Sequence, residues 1–221
     1  MDLSILSKEN RNNFINSNKS FIKKIITEMQ KDKSKEISEE DLSIGIFAFN
    51  NACNSYVDSM GNFFNYSKVI IKNHVLEYLW KISNTPRLYF SNDTPEAFTE
   101  VTEVEKKAEN KIYAKEVLIL NKILKPYNLT YISIIKNCSY NKKIKDDILN
   151  IAFLCSREVF ILNLMEEEKD IPIQKVALLT KYKVEFIERW KNYILALIII
   201  FSNKDLLYLK AYLNINIGDK K

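Results

Sequence analysis

The chain has 221 residues, 47% hydrophobic and 28% charged, with a formal net charge of +5 and a pI near 8.9. That apolar fraction excludes a disordered chain, and three glycines and four prolines leave little material for tight β-turns, so an all-α fold of one large or two small domains is expected. Cys53, Cys138 and Cys155 are scattered, no C-x-x-C occurs and His74 is the only histidine; this excludes a zinc site of the usual spacing and any histidine mechanism that does not rest on His74.

Taken in order, the N-terminus has no basic stretch followed by a long apolar core, so it does not read as a signal peptide. Residues 8 to 30 predict one helix with Phe14, Phe21, Ile22, Ile25, Ile26 and Met29 on its apolar side, followed by a charged loop from Lys31 to Glu36. Ser38 is an N-cap signal, with Asp41 at the position where a capping box places Glu or Gln. In the helix that follows, Leu42, Ile46, Phe49, Cys53 and Tyr56 form the stripe a helix buries. Ile44 and Phe47 fall on the polar face, either covered by another helix of the same domain or left as a docking patch.

Gly61 marks a turn, and a helix from about Phe63 to Lys81 carries apolar residues on several sides, with Lys68 and Lys72 projecting together at i, i+4. Helical periodicity lapses from Ser83 to Thr102, among Pro86, Pro95, Asn84 and Asp93. The expected organisation is therefore a domain over 1–82, a linker over 83–102 and a second domain over 103–221. Helices are predicted from Glu103 to Lys125, Thr130 to Cys138 and Lys143 to Leu164. Asp170-Ile171-Pro172 predicts a helix start with Asp170 as N-cap. A short helix to Thr180, a break at Lys181-Tyr182-Lys183 and a longer helix to Phe201 make a helix-turn-helix over about 172–201, with Phe186, Trp190, Tyr193, Leu197 and Phe201 as the buried stripe of its second helix. The apolar run from Tyr193 to Phe201 is far shorter than the ~20 residues of a membrane span and reads as a buried helix end, which points to a cytoplasmic protein. Asp205 to Asn214 predicts a last helix.

No phosphate loop, dinucleotide fingerprint or nucleophile elbow is present, so no enzyme, cofactor, metal or small-molecule substrate is implied. Between Ile171 and Tyr212 seven bases face three acids, which suits phosphate neutralisation. Arg189 and Asn192 on the second helix can bond guanine and adenine edges. Phe63 and Phe64, next to Lys68 and Lys72, suit a melted strand whose bases stack on rings while lysines follow the backbone. The alternative for the rings is core packing.

Two ordered patterns then carry a resemblance. From Glu40 the chain reads E-D-L-S-I-x-x-x-A-F-N-x-A-x-x-S-Y, then G-N-F, V-I-I-K and L-E-Y; from Ile171 it reads I-P-I, Thr180, then I-E-R, Tyr193-Ile194, Ala196-Leu197 and a closing Y-L-K-x-Y ending at Tyr212. These resemble region 2 and the C-terminal domain of bacterial sigma-70-family transcription initiation factors of the sigma-I type. The resemblance implies a factor that binds core RNA polymerase and promoter DNA. It implies polymerase contacts at Asp41, Leu42, Ile44, Phe47 and Asn50, contacts with the melted −10 strand at Phe63, Phe64, Lys68, Lys72 and His74, and −35 contacts at Lys181, Lys183, Glu185, Arg189 and Asn192. Family members are usually restrained by a membrane-anchored anti-sigma factor.

The chain departs from the pattern where DNA is concerned. Lys72-Asn73-His74 replaces a run of arginines, Trp80 replaces a base, and Lys183-Val184-Glu185-Phe186 replaces Ser-Arg-Lys-Thr. A sigma-derived protein that binds polymerase or an anti-sigma factor without initiating transcription is the second expectation.

Overall fold

In a computed structural model, residues 8–82, 86–92, 102–136 and 138–218 are described. The described chain is all-α apart from two three-residue strands. Its helices are α1 (Lys8–Ser17), α2 (Lys19–Met29), α3 (Glu39–Ser55), α4 (Phe63–Lys81), α5 (Glu103–Leu124), α6 (Tyr131–Lys136), α7 (Lys142–Cys155), α8 (Val159–Glu168), α9 (Ile173–Thr180), α10 (Val184–Ser202) and α11 (Leu207–Tyr212); the strands are β1 (Leu88–Phe90) and β2 (Ile215–Ile217). No single described helix is long and apolar enough to cross a membrane.

The chain divides into two compact units. The first runs through Arg87 and takes in Ser91–Lys115 and the residues from Ala211; the second holds Leu88–Phe90 and Glu116–Lys210. The boundaries differ from those expected at 82 and 103. The early part of α5 belongs with the first unit because its acids cap the turn before α4: Asn62 Nδ2 donates to Glu105 Oε1 at 3.1 Å and Asn65 Nδ2 to Glu109 Oε1 at 3.0 Å. Most of the expected linker, 83–85 and 93–101, lies outside the described residues.

In the first unit the single helix expected over 8–30 is two. Asn18, at φ −105° and ψ 12°, separates α1 from α2, and its side-chain amide donates to the Phe14 carbonyl at 2.8 Å. A short amide side chain that bonds nearby backbone competes with the helical ladder. Ser38 caps α3 as expected, its Oγ accepting from the Asp41 N–H at 3.0 Å. Asp41 answers by accepting from the Ser38 hydroxyl at 2.7 Å rather than from its backbone, as the shorter side chain dictates.

The buried face of α3 is rotated from the expected stripe. Gly45, Ala48, Phe49, Ala52 and Cys53 are buried, while Leu42, Ile46 and Tyr56 are only half-buried. The small residues let α2 come close: a Cβ on Gly45 would stand 2.7 Å from both Ile22 Cγ2 and Ile26 Cδ1. Asn62 caps α4, accepting from Phe64 and Asn65 N–H groups at 2.9 and 3.3 Å. Just before it, Gly61 combines φ 87° with a close approach to Glu109, which a side chain would obstruct. As expected, α4 buries several sides, with Val69, Ile70, Ile71, Val75, Leu76 and Leu79 inside.

In the second unit α7 packs against α10, and Phe153 meets Phe201 edge-on at 5.4 Å. The apolar run at the end of α10 is buried as expected, with Ile194 to Ile199 and Phe201 inside. At its N-terminal half the expected stripe is corrected: Ile187 is fully buried and Phe186, Trp190 and Tyr193 are half-buried. The helix expected over 143–164 breaks after Cys155 and turns by 96° into α8, with Ser156 Oγ bonded to the Phe153 carbonyl at 2.8 Å. Side chains of α7 hold β1: Asn150 bonds both the N–H and C=O of Leu88, at 2.9 and 2.8 Å, and Asp146 accepts from Phe90 N–H at 2.9 Å. The start of α11 rests on Glu116, a buried carboxylate that accepts from the Tyr208 and Leu209 N–H groups at 3.0 and 2.8 Å. Burial pushes its carboxyl up, against the pull of those backbone donors. The thiols of Cys53 and Cys155 are fully buried, one in each unit.

Replacing Gly45 with valine is expected to destabilise the first unit by about 2 kcal/mol, because two isoleucines must leave their rotamers or the helices must part. Urea unfolding followed by circular dichroism measures this, and an unchanged midpoint would contradict the close approach.

Candidate docking groove and nucleic-acid-facing helices

Rotating α3 toward its small residues turns Ile44 and Phe47 outward. Both line an open groove of about 420 Å3 in the first unit, together with Glu40 and Ser43 of α3 and His74, Glu77, Tyr78 and Lys81 of α4. Phe47 is 59% exposed, with its ring 5.9 Å from the His74 ring and edge-on to it. Two bonds fix the imidazole. Nδ1 lies 3.0 Å from the Ile70 carbonyl and Nε2 3.1 Å from Asn51 Nδ2, an arrangement satisfied by a neutral ring that donates from Nδ1 and accepts at Nε2. The Tyr78 phenol bonds the Glu40 carboxylate, which pushes its pKa up to about 12. The groove thus presents an exposed aromatic and a half-buried isoleucine framed by charges of both signs, the make-up of an interface core with a polar rim.

Of the other residues assigned to polymerase contact, Asp41 is engaged by Ser38, and Leu42 and Asn50 are half-buried outside the groove lining. His74, assigned by resemblance to the melted strand, stands in this groove beside Phe47. Sequence reading did not assign Tyr78 or Glu77 to the groove. Their spacing from His74 and Lys81 along α4 is the signal that would have found them.

The strand-facing assignments land differently from expectation. Phe63 and Phe64 are both half-buried, with rings 5.5 Å apart, in one aromatic cluster. Phe63 lies 5.5 Å from Phe49 and 5.3 Å from Tyr56, and Phe64 lies 5.0 Å from Phe21. Neither is an open stacking platform. Tyr66 is core, with its hydroxyl 2.8 Å from Ser55 Oγ. Lys68 pairs with Glu28 at 3.1 Å. Lys72 does not project beside Lys68: it is 6% exposed, and its Nζ donates to Asn214 Oδ1 at 3.2 Å.

In the second unit, α9 and α10 pack together and are joined by Lys181-Tyr182-Lys183. Lys181 takes the left-handed conformation at φ 63°, and Lys183 is the extended N-cap of α10. Tyr182 pins the turn, stacking on Phe186 at 5.4 Å and donating to Asp147 Oδ1 at 2.8 Å. Lys181, Lys183, Glu185 and Arg189 are exposed, and Asn192 is half-buried. Glu185, Arg189 and Asn192 recur at i, i+4 and i+7, so one face of α10 carries them all. Arg189 lies over the Trp190 ring at 5.2 Å, a contact that sequence reading missed. Asp170 is not the N-cap of α9; Pro172 holds that position, and Asp170 pairs with Lys191 at 2.8 Å.

No protein-family model matches the chain. It is 25% identical to the RNA polymerase sigma factor SigI of Bacillus anthracis, over 89% of this chain and 84% of the relative. The sigma factor SigI of Bacillus subtilis (strain 168) is 26% identical, over 94% of this chain and 86% of the relative. For the sigma factor SigI4 of Acetivibrio thermocellus the figures are 28%, 88% and 73%. The chain is similar to sigma-I-type sigma factors over most of its length, which supports an alternative sigma factor of transcription initiation. Each of these alignments covers most of the chain.

In this sigma-I-like chain Lys72 carries a testable electrostatic signature. Burial, with Lys68 nearby, pulls its pKa down to about 8 from the ordinary lysine value of 10.5, against the opposing pull of Glu28. Between those two pH values the unfolded chain binds more protons than the folded one, so stability rises with pH across that window. The penalty for burying the amine is complete below pH 8 and gone above 10.5. The stability of the wild type relative to Lys72→Met is expected to rise by on the order of 2 kcal/mol across the window, measured by urea unfolding at each end.

Proposed function

We propose that this sigma factor directs core RNA polymerase to promoters through the Ile44–Phe47 groove and helps open the DNA, with α9 and α10 facing the −35 element. The observation that carries the docking half is Phe47. It is a large aromatic left 59% exposed on a helix whose apolar residues are otherwise buried or half-buried, beside a groove with mixed charges at its rim. The −35 half is supported by Lys181, Lys183 and Arg189, all exposed around the start of α10. Polymerase and promoter DNA place the protein in the cytoplasm. The same groove suits a membrane-anchored anti-sigma factor that competes with polymerase.

A second reading is favoured by the state of α4. With Lys72 buried, Lys68 paired and both phenylalanines packed, the strand-facing side of that helix offers little free charge or ring area. On that reading the protein binds polymerase or an anti-sigma factor without starting transcription. Run-off transcription by reconstituted holoenzyme on fragmented genomic DNA separates the two, since the second reading gives no transcript from any fragment.

Phe47→Ser is expected to weaken binding to core polymerase by about 30-fold, the effect of removing a buried interface anchor, with the folded circular dichroism spectrum retained. Copurification and a polarisation titration measure it. Wild-type protein that forms no complex at micromolar concentration in moderate salt would sink the docking assignment.

A further inference from the structure

The segment from Ala211 to Gly218 lies on the first unit, where it touches α4, the end of α2, residues around Arg87 and Ser91 and, through Tyr212 and Tyr113, α5. Asn214 Oδ1 takes the Lys72 ammonium at 3.2 Å. Asn216 Nδ2 donates to the Glu28 carbonyl at 2.7 Å, and the Glu28 carboxylate is the group that pairs with Lys68. Ile217 bridges to Gln30 in parallel, with its carbonyl accepting from Lys31 N–H at 2.8 Å. Ser91 N–H donates to the Asn214 carbonyl and Gly218 N–H to the Arg87 carbonyl, both at 2.8 Å. Asn214 reaches Lys72 from a left-handed backbone at φ 47°, a conformation asparagine tolerates better than most residues.

One of these contacts falls on Lys72 itself and another on the backbone of Glu28, whose carboxylate holds Lys68; both lysines are cations that the strand-opening role would use. A lysine follows a nucleic-acid backbone only when its ammonium can reach phosphate and release a counterion. Lys72 has no such reach while Asn214 covers it. The covering segment is also slight. It contains one three-residue strand and buries one apolar side chain, Ile215, whereas α2, α3 and α4 bury a continuous core without it. A segment held by a few hydrogen bonds belongs to the parts of a fold that open at low cost, before the core does.

We propose that Ala211–Gly218 is an autoinhibitory strap: in place it withholds Lys72 from single-stranded DNA, and its release exposes the basic side of α4 for promoter opening. The proposal rests on the promoter-opening reading above. It reconciles the buried lysine with that reading, because the structure then describes the covered state.

A reversible lock tests it in the full chain bound to core polymerase. Gln30→Cys together with Ile217→Cys, in a Cys138→Ser background that removes the half-buried third thiol, places thiols on the bridged pair, while Cys53 and Cys155 are buried out of reach. Oxidised, this holoenzyme is expected to bind promoter DNA but to leave its thymines unreactive to permanganate; reductant is expected to restore reactivity at least tenfold. Asn214→Ala, which removes the side-chain partner of Lys72, is expected to raise the rate at which an amine-reactive reagent modifies Lys72, read by mass spectrometry, and to tighten binding to a labelled single-stranded oligonucleotide by about fivefold at low salt. If the locked, oxidised form opens promoters as well as the reduced form, the strap is overturned. The same holds if Lys72 becomes reactive in Asn214→Ala without any gain in single-strand affinity. Failure of the underlying reading looks different: wild-type and reduced holoenzyme alike would then open no promoter.

Discussion

The close approach of α2 to α3 is the constraint on which the first unit turns. Gly45, Ala48 and Ala52 present so little bulk that Ile22 and Ile26 occupy the space side chains would fill. Helices that meet over small residues fix each other's rotation tightly, because turning either one drives a larger side chain into the gap. With that rotation set, Phe49 and Cys53 go inward, while Ile44 is left half-buried and Phe47 faces outward. The groove lined by Ile44 and Phe47 is thus a by-product of packing on the other side of the same helix. The aromatic cluster beyond it, with Phe14, Phe21, Phe49, Tyr56, Phe63 and Phe64 in mutual contact, closes the end of the unit where α1, α3 and α4 meet.

Polar groups do a second kind of positioning. Asn62 caps α4 while donating to α5, Asn150 stands in for a strand neighbour along Leu88, and Glu116 supplies the acceptors that α11 lacks. Each is a buried or half-buried group whose donors and acceptors are matched, so each specifies a geometry that apolar packing alone would leave loose. In the second unit the turn between α9 and α10 is set the same way. Tyr182 is tied to Asp147 and stacked on Phe186, which leaves the flanking Lys181 and Lys183 free of the core.

What the sequence made legible follows from range. Ser38 and the Lys181–Lys183 break act over a few residues, and the helices they bound are found close to where periodicity puts them. The exposure of Phe47 was readable because it depends on helical phase. The break at Asn18 and the turn after Cys155 were not, since both stretches keep an unbroken apolar rhythm and only tertiary packing interrupts it. The candidate DNA side fared worst for the same reason. Nothing near Phe63 announces Phe14, and nothing near Lys72 announces Asn214, which lies far along the chain. At the first turn of α4 the adjacent Phe63 and Phe64 both reach one cluster. Asp170 read as a cap from local composition, and an ion pair with Lys191 drew it elsewhere.

The placement of the thiols has a further consequence. Cys53 belongs to the first unit and Cys155 to the second, neither is solvent-accessible, and burial pushes the Cys155 thiol up to about 12 and the Cys53 thiol upward as well. A thiol in that state reacts with a reagent only during the moments when its surroundings come apart. The two cysteines are therefore built-in clocks. The modification rate of each sulfur reports how often its own unit opens, so the stabilities of the two units can be followed separately in one intact chain.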